Sequence, residues 1–265
     1  MILFLRELKR NRKTFIIWSS IILFYNIAVI AFFPMLSDKA KAMDTVLKDM
    51  KGALDFFGMG FMDFSNVLSL FGAYSFVYLS MMGGVYAMIL GSGIISREEG
   101  EKTIEFLMSK PIKRSQIITS KLAAAFFNIF LLSILYAATS VVMFSLFVTK
   151  SVNYGALMSM MLGAFLIFSL FTAVGIFLST IISRPKSVVS ISIGIVLGTY
   201  IIGGLSAITE KAEFLKYLSP FKYMDTKYIM DNARIDYVYG GLFLVVIAIS
   251  IGGAYYFYNK KDIKV

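Results

Sequence analysis

The chain has 265 residues, of which 58% are hydrophobic and 16% are charged, and its formal net charge is +10. A soluble globular domain carries roughly 25% charged residues, so this composition excludes an ordinary soluble protein. The chain has neither histidine nor cysteine, which excludes disulfides, thiolate metal sites and the commonest general base.

Six long apolar segments follow one another along the chain. A helix needs about 20 apolar residues to cross roughly 30 Å of hydrocarbon, and each segment is long enough. Both faces of every segment are apolar, whereas barrel strands alternate polar and apolar residues. We therefore predict an all-α integral membrane protein with six transmembrane helices. They span residues 15–36, 67–95, 117–148, 154–182, 187–208 and 237–258.

The first 14 residues have the pattern of an amphipathic helix that lies in the membrane interface. Basic residues recur every three or four positions on one face, and apolar residues occupy the opposite face. The alternative is a basic tail without fixed structure that only sets the topology. The basic residues are Arg6, Lys9, Arg10 and Lys13.

Residues 37–66 and 209–236 form two longer connections on the side opposite the termini. The first has apolar residues at helical spacing, which predicts a surface helix that ends at Gly58 or Gly60. The second is rich in aromatic residues and is broken by Pro220, as expected of an aromatic belt at the interface. For each connection, a gate on a transport path is the alternative.

Residues 96–116 connect the second and third helices and contain a short predicted helix. Ser96 and Glu99 have the spacing of a capping box, and Pro111 ends the helix. Its apolar face could rest on lipid, on the protein's own helix ends or in a cleft of a cytosolic partner. The acids of this segment favour a protein partner, because anionic headgroups would repel them.

Charge separates the two sides of the membrane. The side with both termini has sixteen basic and six acidic residues, and the other side has ten of each. The positive-inside rule therefore places both termini in the cytoplasm. The basic excess serves this topology and anionic lipid, so we expect no nucleic-acid partner.

No charged residue lies in the middle of a predicted transmembrane helix. Such a charge costs about 2.5–3.5 kcal/mol, so it is kept only for a function such as proton or ion transport. A phosphate-binding loop that ends in Lys-Ser or Lys-Thr is also missing. Uphill transport would therefore need energy from another subunit, and an uncharged interior suits an amphipathic or apolar cargo such as a peptide, lipid or drug.

Two other classes of function compete with transport. A non-transporting membrane sensor or scaffold protein would have the same layout of helices. An intramembrane enzyme is the least favoured, because the helices offer no histidine, cysteine or carboxylate for metal-dependent, Ser-His or aspartyl chemistry.

The run from Ser96 to Arg114 resembles the cytoplasmic coupling segment of ABC-2 type transporter permeases. The run from Leu218 to Phe221 and the amphipathic N-terminus are also similar to that family. The residues assigned to coupling on this basis are Glu98, Glu99, Gly100, Thr103, Ile104, Glu105, Phe106, Leu107, Met108, Pro111 and Arg114.

The resemblance implies a six-helix permease subunit of an exporter in a bacterial inner membrane. It would pair with a second permease, identical or related, and with two ATP-binding cassette ATPase subunits. The segment around residues 98–111 would be the coupling helix, and residues 1–14 would be the elbow helix. ATP and Mg would bind to the ATPase, so this chain would hold no cofactor and would not be an enzyme.

Overall fold

The computed structural model describes residues 2–38, 50–63, 66–100, 112–148, 151–182, 185–208 and 210–261. These residues form helices and no strand. Six of the helices are long and apolar enough to span a membrane. The predicted fold class, an all-α integral membrane protein with six transmembrane helices, is therefore confirmed.

We number the six long helices in chain order. They are α1 (Ile2–Asp38), α2 (Val67 to Gly100), α3 (Arg114–Phe147), α4 (Tyr154–Ile181), α5 (Pro185–Leu205) and α6 (Tyr237–Lys260). Helix α2 consists of three consecutive parts, which are Val67–Leu70, a π-helical Phe71–Phe76 and Val77–Gly100. Shorter helices in the connections are Lys51–Phe56, a 3-10 helix at Glu210–Leu218, and Thr226–Asn232.

Successive long helices run in opposite directions. At one end of the bundle, the ring of Phe144 on α3 packs against Phe33 on α1 and Phe71 on α2, with centroids 6.2 and 5.1 Å apart. At the other end, Phe177 on α4 packs against Phe257 on α6 at 5.9 Å. We call the end that holds Ile2 and Lys260 the terminal end, and the opposite end the distal end.

Helix α1 contradicts the prediction of a separate interfacial helix at residues 1–14. It continues without a break through all of its 37 residues, which is about 55 Å at 1.5 Å per residue. The segment contains no glycine, and its first proline is Pro34, so nothing in the sequence ends the helix near residue 14. The N-terminal turns are therefore a direct extension of the first membrane helix.

Helix α2 also continues beyond its predicted end at residue 95. It reaches Gly100, so Ser96 lies inside the helix and does not begin a new one. The Ser96 hydroxyl is buried and donates to the carbonyl of Ser92 at 2.6 Å, one turn earlier. The predicted capping box at Ser96 and Glu99 is therefore wrong, because the helical hydrogen bonds simply continue.

Helices α2 and α4 form the centre of the bundle and are buried along most of their length. They touch through their backbones at Gly91 and Gly175. A Cβ on Gly91 would lie 2.3 Å from the carbonyl oxygen of Thr172, and one on Gly175 would lie 2.6 Å from that of Met88. Only glycine permits this approach.

A buried polar network ties the first three helices together near the π-helical part of α2. The Asn26 amide on α1 donates to Ser140 on α3 at 3.0 Å and accepts from Ser75 on α2 at 2.9 Å. Neighbouring helices of membrane proteins commonly use such polar contacts. The network fixes the rotation of α1 against α2 and α3.

The distal connections are partly helical. The predicted surface helix corresponds in the described part to Lys51–Phe56, and it ends at Phe57 followed by Gly58, whose φ is +74°. Residues 39–49, which contain the first half of that prediction, lie outside the described residues. In the second distal connection, Phe214 and Tyr217 are exposed, whereas Tyr223 packs inward against the ring of Phe243.

Candidate functional site

The predicted coupling segment is described only at its two ends. Glu98 and Gly100 lie in the last turns of α2, where the backbone of Glu99 is also described, and Arg114 begins α3. Both ends lie at the terminal end of the bundle. The remaining residues assigned to coupling lie outside the described residues, so their role stays a prediction. They are Thr103, Ile104, Glu105, Phe106, Leu107, Met108 and Pro111.

Glu98 does not present its carboxylate to the solvent. It is 4% exposed, and its Oε2 lies 2.9 Å from Nζ of Lys121 on α3. Its Oε1 lies 3.5 Å from a guanidinium nitrogen of Arg10 on α1. The side chain therefore joins α2 to α1 and α3.

Lys121 is the centre of this arrangement. It is 2% exposed, and its ammonium group lies 2.9 Å from Oε1 of Glu7 and donates to the carbonyl of Ile94 at 2.7 Å. Together with Oε2 of Glu98, these contacts place three oxygens within 2.9 Å of the ammonium, and those of Glu7 and Ile94 accept hydrogen bonds from it. A buried charge is tolerated only when it is paired and hydrogen-bonded in this way.

Arg10 is the fourth charged residue of this arrangement and lies on its more exposed side. One guanidinium nitrogen lies 3.2 Å from Oε2 of Glu7 and 3.4 Å from the carbonyl of Ile94. We call Glu7, Arg10, Glu98 and Lys121 the charge cluster. Two carboxylates face two cations in it, so the cluster is electrically balanced.

The positions of these residues follow from helical spacing. Glu7 and Arg10 are three residues apart and share a face of α1. Lys121 lies seven residues into α3, about 10 Å along the helix axis. The cluster therefore sits near the terminal end of the bundle and not at the middle of the membrane helices.

Sequence reasoning missed the charge cluster because it assigned every charge to a membrane side. Two signals were present in the sequence. Glu7 is the only acid among the five basic residues of the N-terminus, and Lys121 falls inside the predicted third helix. An acid within a basic stretch and a lysine within a membrane helix each require a partner.

The other predicted site residues separate into two groups. Arg6, Lys9 and Lys13 are exposed, whereas Arg10 points inward to the charge cluster. Arg114 donates to the carbonyls of Asn259 at 3.2 Å and Lys261 at 2.8 Å. A cation at this position satisfies the free carbonyls at the C-terminal end of α6, so Arg114 fixes α6 to the start of α3.

A second candidate site is a cavity of about 480 Å³ at the distal end, which we call the distal cavity. It lies between α2, α4 and α5, and both distal connections cover it. Its deeper wall includes Phe76 and Ser80 of α2, which are buried, and its mouth includes Asp225 and Lys227, which are exposed. The cavity therefore has an apolar interior and a charged rim.

The sequence was also compared with known proteins. The family described as "ABC-2 family transporter protein" matches residues 1–263, which include all six long helices, the charge cluster and the distal cavity. No curated protein matches the sequence. Since the family match extends over nearly the whole chain, the protein belongs to the ABC-2 family of transporter proteins.

Proposed function

We propose that this protein is the permease subunit of an exporter that moves an amphipathic or apolar cargo, such as a peptide, lipid or drug. The family establishes a multi-pass transporter subunit of the kind that associates with ABC ATPase subunits. The family match is the observation that carries the proposal. Two ATPase subunits would bind and hydrolyse ATP with Mg, and this chain would contribute no catalysis.

We place the terminal end in the cytoplasm of a bacterial cell, with the protein in the inner membrane. The excess of basic residues in the sequence segments of that end supports this orientation through the positive-inside rule. In this orientation the distal cavity faces outward. The segment at residues 98–114 is then on the side where ATP is available.

The charge cluster would carry motion from the coupling segment into the membrane. The segment leaves α2 two residues after Glu98 and joins α3 seven residues before Lys121. A displacement of the segment would therefore act on both helices at once, and the ion pairs would move α1 with them. The backbone contact at Gly91 would pass the displacement to α4.

The lack of charged residues in the described interior of the bundle supports an apolar or amphipathic cargo. Outside the charge cluster, the described parts of the six spans have no charged residue in their middle turns. No titratable relay of the sort found in ion-driven transporters is present in those parts. An apolar or amphipathic cargo, moved by energy from the ATPase, agrees with this.

Co-purification with an ATPase tests the proposal. The permease is expressed with a candidate Walker-type ATPase, with a purification tag on the permease alone. Glu105→Lys and Leu107→Asp should each abolish recovery of the ATPase. Asp231→Lys makes the same acid-to-lysine change at an exposed position in the distal connection, and it should leave recovery unchanged. Full recovery with both coupling variants would refute the assignment of the segment.

A second permease copy completes the proposed complex. A half-transporter of six helices pairs with a second half-transporter. This second permease would be identical or related to the present chain. Cross-linking of two differently tagged copies in the membrane measures this pairing. Recovery of both tags together indicates a homodimer, and recovery of a different permease with one tag indicates a heterodimer.

A further inference from the structure

The distal cavity contains a buried hydroxyl group without a partner. Ser80 on α2 is 2% exposed and lines the cavity. Within the part of the chain that the structure describes, its Oγ makes no hydrogen bond. Burial of a hydroxyl without a hydrogen bond is unfavourable, and a polar atom of a bound ligand would remove that penalty.

The cavity mouth contains a lysine that is partly buried. The side chain of Lys222 passes beside α5, where a Cβ on Gly203 would lie 3.3 Å from its Cγ. Burial lowers the pKa of Lys222 through desolvation, and the more distant carboxylates of Asp225 and Asp55 act in the opposite direction. The ion pairs found among the described residues do not include Lys222.

The ion pairs of the described residues join neither of the two nearby acids, Asp55 and Asp225, to Lys222. Asp225 accepts hydrogen bonds from the backbone N–H groups of Lys227 at 2.9 Å and Tyr228 at 3.2 Å, and so caps the helix Thr226–Asn232. The carboxylate of Asp55 lies against the backbone of Gly60, where a Cβ would come within 1.6 Å of its Oδ1. An anion in the cavity would give the Lys222 ammonium a direct ion-pair partner, which neither acid provides.

The walls of the cavity are aromatic and well fixed. The ring of Phe221 packs against Phe171 at 5.5 Å and against Tyr200 at 5.4 Å. The Tyr200 hydroxyl donates to the carbonyl of Phe57 at 3.0 Å, which joins α5 to the first distal connection. The volume of about 480 Å³ lies within the range of roughly 300–1,000 Å³ that is typical of small-molecule sites.

We propose that the distal cavity binds an anionic amphipathic molecule, with its carboxylate or phosphate on Lys222 and its apolar chain between the aromatic walls. Ser80 hydrogen-bonds a second polar atom of the same molecule. Such a molecule comes either from the bilayer, as an anionic phospholipid, or from the transported cargo. The identification with cargo rests on the proposed export function, whereas the binding itself does not.

The test uses the absence of cysteine from the natural chain. Ala207 is exposed and lines the cavity, so Ala207→Cys provides a single reporter thiol. The full permease is placed in phosphatidylcholine nanodiscs without ATPase or ATP, and the rate of modification by N-ethylmaleimide is measured. The probe is N-dodecanoylglycine, which has a carboxylate, an amide and an alkyl chain. Its methyl ester is the uncharged control.

The acid should slow modification of the reporter, and the ester should do so much more weakly. Lys222→Gln should raise the half-protecting concentration of the acid by about tenfold or more, since a hydrogen bond to a charged group is lost. Lys222→Arg should retain protection, which shows that the site is intact when the charge is kept. Ser80→Ala should raise the concentration by about fivefold.

Two controls isolate the cavity. Lys216→Gln removes the same charge from the same connection outside the cavity and should leave protection unchanged. Ser151→Cys places a thiol at an exposed distal position that does not line the cavity, and the probe should not protect it.

Phosphatidylglycerol is then added to the nanodiscs. Protection by this lipid that depends on Lys222 identifies a lipid headgroup as the occupant, and protection by the acid alone identifies a free amphipathic molecule.

Three results would overturn the proposal. They are equal protection by the acid and its ester, equal effects of Lys222→Gln and Lys216→Gln, and a reporter thiol that N-ethylmaleimide never reaches. None of these results bears on binding of the ATPase. Loss of the ATPase interaction, in turn, would leave the protection experiment valid, so the two proposals fail separately.

Discussion

Replacing Lys121 with methionine removes the centre of the charge cluster while nearly keeping the length of the side chain. Lys121 is 2% exposed, and its ammonium lies 2.7–2.9 Å from three oxygens. After the change, two buried carboxylates share one guanidinium, that of Arg10. Removal of one partner of a buried ion pair destabilises a protein by about 3–5 kcal/mol, and we expect a loss in that range.

The fluorescence of Trp18 measures this loss of stability. Trp18 is the only tryptophan of the chain, lies on α1, and packs against Tyr86 of α2 with ring centroids 5.9 Å apart. Its fluorescence therefore reports the separation of α1 from α2 when the protein is unfolded in detergent micelles. Lys113→Met, which changes an exposed lysine just before α3, should leave the unfolding transition where it is.

A double-mutant cycle separates the charge effect from packing. Glu7→Gln combined with Lys121→Met leaves Glu98 and Arg10 as one balanced pair. The double variant should be more stable than the sum of the two single losses predicts, by about 0.5–3 kcal/mol. Strict additivity, or a loss below about 1 kcal/mol for Lys121→Met, would refute the charge cluster as a buried, coupled network.

Three further predictions follow from the contacts. Gly91→Ala should destabilise the bundle by about 1–3 kcal/mol in the same unfolding assay, because the new Cβ would collide with the Thr172 carbonyl. Gly194→Ala is the matched control, because a Cβ at that position would have no neighbouring atom within 4 Å. Asn26→Leu should cost about 0.6 kcal/mol and at most about 1.7 kcal/mol, the measured average and maximum for polar contacts between membrane helices, and an unchanged transition would contradict the polar network. Protection of the distal cavity by N-dodecanoylglycine should decline as pH rises through the lowered pKa of Lys222, because the cation is lost; a decline only near the ordinary lysine pKa of about 10.4 would contradict this.

Much of the fold could be predicted from hydropathy, because in lipid every backbone polar group must be satisfied within a helix. The fourth helix begins at Tyr154, where its apolar segment begins, and Asn153 caps it. The sixth begins at Tyr237, capped by Asp236. Where a polar residue capable of capping precedes a long apolar run, the start of a helix can be read from the sequence.

The helix ends at the terminal end could not be predicted in the same way. Charged residues after Ile95 were interpreted as a loop, yet α2 continues to Gly100 because Glu98 finds partners on two other helices. Hydropathy treats each charge as a cost, whereas a buried and fully paired charge can lie inside a helix. The pairing joins residues that are distant in the sequence, such as Arg10 and Glu98, which are 88 positions apart, and no local pattern contains such contacts.

The distal cavity could not be predicted from the sequence either. Ser80 lies in an apolar helix, and Lys222 lies in a connection interpreted as an aromatic belt. Neither residue is unusual in its local sequence. Their common position depends on how α2 and α5 pack and on how the distal connections fold over them.

The central claim is that ATP acts on the membrane bundle through the coupling segment, and the reporter Ala207→Cys measures this most directly. In the reconstituted complex with its ATPase, ATP should change the rate at which N-ethylmaleimide modifies the reporter at the distal end. Leu107→Asp should abolish that change. An ATP effect that persists with Leu107→Asp, or the same effect in the isolated permease under a proton or sodium gradient alone, would contradict the account.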